Sequence, residues 1–150
     1  MVFIHGGGVS GWMWDKQIEY FSSKFHCLVP DMPEHGRSKN GVQFTINDAA
    51  DEIIELIKEK SKGKRVIAIG FSLGAQVLIA MLNQKPNLID FAMINSALVK
   101  PVPFANALTK SMMFAFPLVR YKAFSKIQAK SMYIDGDYQD IYYQESCQIN

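Results

Sequence analysis

Apolar residues along the chain fall into short unbroken runs separated by amphipathic stretches. Val2-Phe3-Ile4, Cys27-Leu28-Val29, Arg65 to Gly70 and Phe91-Ala92-Met93-Ile94 are such runs, the first stopped by glycines and the second by Pro30-Asp31. Continuous apolar runs of this length predict strands buried on both faces. Between them, Trp14, Ile18, Phe21 and Phe25 recur at helical spacing. Thr45 opens a second helix, and Asp48 three residues later makes a variant of the capping box. Ile46, Ala49, Ala50, Ile53, Leu56 and Ile57 form its apolar face, and Gly63 ends it. Leu73 to Asn83 reads as a third helix, ended before Pro86. The order β-α-β-α-β-α-β predicts an α/β fold: a three-layer α/β/α sandwich with a parallel sheet.

From about Lys100 the pattern changes. Pro101 and Pro103 break the chain, and Phe104 to Phe124 is rich in Phe and Met. Met112, Met113, Phe114 and Phe116 suit a helix face, serving either as core or as an apolar lid. Asp135-Gly136-Asp137 to Tyr143 is acidic and aromatic, with no evident element. No linker marks a second independent domain. Residues 1–99 are expected to form the core, and 100–150 a lid- or cap-like segment.

The 150 residues are 49% hydrophobic and 20% charged, with a net charge of +2. This is an ordinary globular profile, long enough to bury a core. Basic charge gathers only at Lys58 to Arg65, which reads as the solvated end of a helix, so no nucleic-acid partner is expected. Two cysteines, Cys27 and Cys147, make neither a disulfide framework nor a CxxC metal motif. The apolar N-terminus lacks a basic region and a long apolar stretch, against a signal peptide. No apolar run approaches the roughly 20 residues that cross a bilayer. A cytoplasmic location with no membrane partner follows as the expectation.

Three segments carry chemistry. Gly70-Phe71-Ser72-Leu73-Gly74 is a G-x-S-x-G match lying between a predicted strand and a predicted helix. There the serine backbone is strained and its hydroxyl points out of the top of the sheet, whereas a Gly-Ser loop without chemistry is the bland alternative. His5-Gly6-Gly7-Gly8 is either a flexible turn or a loop whose amides approach a ligand. It is no phosphate loop, lacking a Lys-Ser/Thr ending and GxGxxG spacing. Pro30 to Ser38 reads as a compact turn with a strand-end Asp. Asp31 and His35 make a poor acid–base pair there, because the prolines suggest structural punctuation.

Together these segments resemble the α/β-hydrolase superfamily in motif, order and spacing, over about residues 1 to 100. The first is similar to its oxyanion loop, with Trp12 and Trp14 beyond. The second is similar to its Pro-Asp-x-Pro-Gly-His-Gly-x-Ser stretch, the third to its nucleophile elbow, and Asn95-Ser96-Ala97 to its next strand end. The resemblance implies a partial α/β-hydrolase fold with the start of a helical lid. It implies a serine hydrolase acting on an ester, thioester or related acyl bond of a small molecule, without cofactor or metal. Ser72 would be the nucleophile, and Leu73 and Gly7 the oxyanion donors. His5, Gly6, Gly70 and Gly74 would support them, His5 without acting as the base. Glu34 stands where the family usually has Gly, which puts the tight turn there in question. The alternatives are a non-catalytic small-molecule binding protein, or an acyltransferase or C–C bond hydrolase on the same scaffold.

The family order is Ser, then Asp or Glu, then His. The only histidines, His5, His26 and His35, all precede Ser72. Met132 to Asp137 faintly resembles the strand that carries the acid, although an acidic lid helix or surface loop suits it better. Relatives usually have two strands before the first one here. The four strands are then expected in the order second, first, third, fourth, with unpaired outer edges prone to self-association. The chain reads as the middle of a longer hydrolase, with little turnover for want of a base.

Overall fold

In the computed structural model, residues 1–38, 43–98, 100, 118 and 120–147 are described. Pro101, Pro103 and the stretch with Met112, Met113, Phe114 and Phe116 lie outside them. The chain forms two compact units, Met1–Ala97 and Leu98–Asn150.

The first unit is built on a parallel three-stranded sheet. Its strands are β1 (Val2–Ile4), β2 (Ile67–Phe71) and β3 (Phe91–Asn95), adjacent in that order. Val2 pairs with Ala68, Phe3 with Ile69 and Ile4 with Gly70; Ile67 pairs with Phe91 and Phe71 with Asn95. The expected fourth strand at Cys27-Leu28-Val29 is reduced to one parallel bridge, Val2 to Leu28, on the free side of β1. Backbone hydrogen bonds fasten it on either side of the bridge: Phe3 N donates to Leu28 O (2.9 Å) and Leu28 N to Met1 O (2.8 Å). The expected order is kept, but Pro30 follows at once and cannot donate to extend the ladder.

The pleat divides the core into two. Val2, Ile4 and Ala68 face helices α2 (Ile46–Ser61) and α3 (Leu73–Gln84), where Ile53, Ile57, Leu78 and Met81 complete the larger cluster. Phe3 and Ile69 face the other way, onto Trp14 and the helix α1 (Asp15–Phe21). The result is three layers around a parallel sheet. The helix expected from Trp14 to Phe25 is shorter: a 3-10 turn over Gly11–Trp14 leads into α1, which ends at Phe21. Trp14 itself is buried against Phe3, ring centroids 5.3 Å apart.

At the start of α2 the Thr45 hydroxyl oxygen accepts from Asp48 N (3.0 Å) and donates to the Asp48 carboxylate (2.6 Å), a local cap formed within one turn. At its end, Lys62 (φ 48°) and Gly63 (φ 76°) are both left-handed and turn the chain away from the helix. β3 is exposed along its whole length, Phe91 and Met93 included.

Among the described residues of the second unit, α4 (Lys122–Ser131) leads through a 3-10 turn at Gly136–Tyr138 into α5 (Gln139–Ser146). Lys122 Nζ and Asp140 Oδ1 join the two helices at 2.9 Å. Met132 to Asp137 is not a strand, and the acidic stretch after it is largely helical.

Leu78 is fully buried under the sheet. We expect Leu78→Ala to cost about 3 kcal/mol, read as a lowered urea midpoint, with exposed Ile127→Ala as a near-neutral control.

Candidate active site

The turn from β2 into α3 is shaped by close approach. A side chain on Gly70 would put its Cβ 2.5 Å from the carbonyl oxygen of Gly74. One on Gly74 would stand 2.5 Å from the His5 carbonyl oxygen and closer still to that of Ile4. Neither backbone can retreat, since each belongs to the sheet or to the first turn of the helix. Between them Ser72 takes φ 52° and ψ −111°, a region that side-chain-bearing residues rarely occupy. Such strain costs ~1–3 kcal/mol and persists only where the surroundings over-determine it. Here Ser72 N donates to Asn95 O at the end of β3 (2.9 Å), while Ser72 O accepts from Ala75 N (3.0 Å) and Gln76 N (3.2 Å). The residue is partly exposed.

The glycine loop after β1 lies on this turn. A Cβ on Gly6 would meet Phe71 Cδ1 at 3.0 Å, and one on Gly7 would meet Leu73 Cδ2 at 3.5 Å. The Gly6 amide is directed to the Met13 sulfur at 3.4 Å. No described residue accepts a hydrogen bond from the amide of Gly7 or Leu73. Gly7 is exposed, and the Leu73 amide begins α3, where the helix dipole favours negative charge.

The third segment fastens that loop from behind. His5 is fully buried. Its Nδ1 lies 2.8 Å from Gly6 O and its Nε2 lies 3.0 Å from Met32 N, so Nδ1 carries the proton and Nε2 accepts. Burial holds its pKa down to about 4, outweighing the Gly6 hydrogen bond that favours the charged form. A neutral ring with both nitrogens engaged is a strut and not a proton carrier. Asp31 plays a role that its sequence position only hinted at. Its Oδ1 accepts from Gly11 N (2.8 Å) and its Oδ2 from Arg37 N (3.0 Å), tying the segment after the glycine loop to the loop at 33–38. His35 lies with Nδ1 2.8 Å from Pro33 O, and Asp31 spends both oxygens on amides. The two residues are not an acid–base pair.

Glu34 does adopt the left-handed conformation, φ 63°, that glycine would take easily. Its amide donates to Ser38 O (3.1 Å), and its Oε2 accepts from Phe44 N (3.0 Å). The side chain thus makes a contact glycine could not, and the tight turn forms without one.

His26 precedes the Leu28 bridge, at the start of the strands, whereas Ser72 follows their ends. Asp135 Oδ1 accepts from Gly136 N (2.7 Å), and the Lys122 ammonium hydrogen-bonded to Asp140 holds that carboxyl below its usual range. Among the described residues no three His, Cys, Asp or Glu side chains could hold a metal ion, and no helix is long and apolar enough to cross a membrane.

Residues 1–132 match a family model described as the alpha/beta hydrolase fold. The chain is 34% identical over 90 residues to (E)-2-((N-methylformamido)methylene)succinate hydrolase of Acinetobacter baylyi, covering 59% of this chain and 34% of that protein. It is 31% identical over 86 residues to pimeloyl-[acyl-carrier protein] methyl ester esterase of Nitrosomonas europaea, covering 57% of this chain and 32% of that one. A crystal structure of a putative lipase from Acinetobacter baumannii superposes with a TM-score of 0.76 at 16% identity, covering 99% of this chain and 52% of that one. The chain thus spans about a third of the length of these curated relatives.

His5 makes stability depend on pH. Its folded pKa of about 4 lies below the unfolded value of 6.5, so the unfolded chain binds the proton first as pH falls. The contribution is whole above pH 6.5, is lost as pH falls towards 4, and amounts to at most about 3 kcal/mol. Urea unfolding should therefore weaken between these values more steeply in the wild type than in His5→Gln, and parallel slopes would contradict the assignment.

Proposed function

Because the chain belongs to the α/β-hydrolase family, we propose that it carries the nucleophile and the oxyanion donors of a serine hydrolase acting on an ester or related acyl bond. Ser72 Oγ attacks the acyl carbon, and the alcohol or thiol leaves. Water then cleaves the acyl-enzyme to the acid. The negative oxygen of each tetrahedral intermediate is received by the amides of Gly7 and Leu73, aided by the start of α3. His5 holds the loop carrying Gly7, with Gly6, Gly70 and Gly74 permitting the close packing. The observation that carries this reading is the forced left-handed Ser72 between two glycines, at a strand end beside amides that no described residue accepts from. The esterase and hydrolase among the relatives support an acyl bond as the target.

A serine hydroxyl needs a base; His5 is held neutral with both ring nitrogens engaged, and His26 lies at the opposite end of the strands from Ser72. Its two donors alone support a residual acceleration on the order of 10³–10⁴ over water. We therefore expect the 150-residue chain to cleave p-nitrophenyl acetate slowly and to gather the acetyl group on Ser72, seen by peptide mass spectrometry. A fluorophosphonate should label it slowly at the same residue, and Ser72→Ala should lose both signals. Labelling that persists in Ser72→Ala, or falls on another residue, would overturn the proposal.

A further inference from the structure

The end of the sheet opposite Ser72 holds a cleft of about 500 Å³, between the C-terminal end of α2 and the starts of β1 and β2. Lys24, Lys60, Lys62, Lys64 and Arg65 line it, and no carboxylate does. Its apolar wall includes Val2, Leu28, Ile57 and Val66. These residues come from three separate stretches of chain, so the cleft is a product of the fold and not of one basic run.

Part of the basic charge has a local explanation. Lys58 and Lys60 occupy the last turn of α2, where cations offset the helix dipole, and each is paired: Lys58 with Glu55 and Lys60 with Glu59, both at 2.6 Å. That explanation does not extend to the others. Lys24 precedes the Leu28 bridge, and Lys64 and Arg65 follow the helix. The left-handed pair Lys62 and Gly63 turns the chain there. Lys24, Lys62, Lys64 and Arg65 have no ion pair among the described residues. Four exposed, unpaired cations around one cleft give it a positive potential that attracts an anion.

We infer that this cleft is a binding site for a phosphate monoester bearing an apolar group. A dianionic phosphate matches several unpaired cations better than a carboxylate does, and a guanidinium can grip two of its oxygens. The apolar wall takes the rest of the molecule, and the volume lies within the range of small-molecule sites. The site is separate from the acyl chemistry, since it lies before β2 and Ser72 lies after it.

The test titrates the 150-residue chain with octyl phosphate, below its micelle concentration, and with octanol, by isothermal titration calorimetry. Octyl phosphate should bind, octanol should bind at least about tenfold more weakly, and raised salt should weaken the phosphate. Lys64→Ala/Arg65→Ala should weaken octyl phosphate by about tenfold or more, Lys24→Ala should weaken it too, and Lys122→Ala in the second unit should not. Circular dichroism checks that each variant is folded. Ser72→Ala should leave the affinity unchanged, which keeps this result apart from the fate of the hydrolase proposal. Equal affinity for octanol, or unaltered affinity in the folded double variant, would refute the site. Co-sedimentation with phosphatidylcholine vesicles containing phosphatidic acid, lost in the double variant, would identify a lipid headgroup as the source. Octyl phosphate binding without co-sedimentation would identify a soluble ester.

Discussion

The backbone of α3 enters the sheet at a distance that admits no side chain. Gly70 and Gly74 meet across the bend, and Gly74 also lies against the carbonyls of Ile4 and His5 at the end of β1. That contact dictates the direction in which α3 leaves the sheet, and therefore the backbone of Ser72. The strain at Ser72 is carried by hydrogen bonds at both of its ends, to Asn95 from the amide and from the first turn of α3 to the carbonyl. Three strands and a helix thus converge on one hydroxyl-bearing residue. The larger apolar cluster, with Leu78 and Met81 fully buried, anchors that convergence energetically.

The glycine loop opposite needs a different kind of support. Glycines leave amides accessible but leave the loop with little shape of its own. Its shape is supplied from outside, by a buried imidazole and a half-buried carboxylate that accept or donate in one direction. His5 joins Gly6 to Met32, and Asp31 joins Gly11 to Arg37. A neutral imidazole suits this place because burial penalises its charged form. The same burial removes His5 from the pool of bases. A residue that resembles catalytic equipment is, by its environment, part of the scaffold.

The strand ends divide the first unit into two chemical faces. At the C-terminal ends stand Ser72 and the amides of Gly7 and Leu73; at the N-terminal ends stands the basic cleft. Parallel pairing is what separates them, since it gathers every strand start at one edge and every strand end at the other. Crevices outside the strand ends are the usual ligand sites of such sheets. The opposite end is free to hold a second ligand without disturbing the first.

Much of this was legible in the residue pattern. Unbroken apolar runs announced a parallel sheet, helical spacing announced α2 and α3, and Gly-x-Ser-x-Gly between strand and helix announced the bend, because each signal is local. Other features needed the folded chain. Cys27-Leu28-Val29 has the composition of a strand, yet only one bridge forms before Pro30 ends the pairing. Glu34 takes a glycine's conformation because Ser38 and Phe44, four and ten residues away, hold it there. His5 is a strut because Met32 comes to it from 27 residues along the chain. Lys24 shares a cleft with Lys64 and Arg65, which no spacing along the sequence foretells. Sequence alone decides what each residue prefers within its own turn or strand. Partners distant along the chain decide which preference survives, and their hydrogen bonds, burial and shared potential exist only once the fold has brought them together.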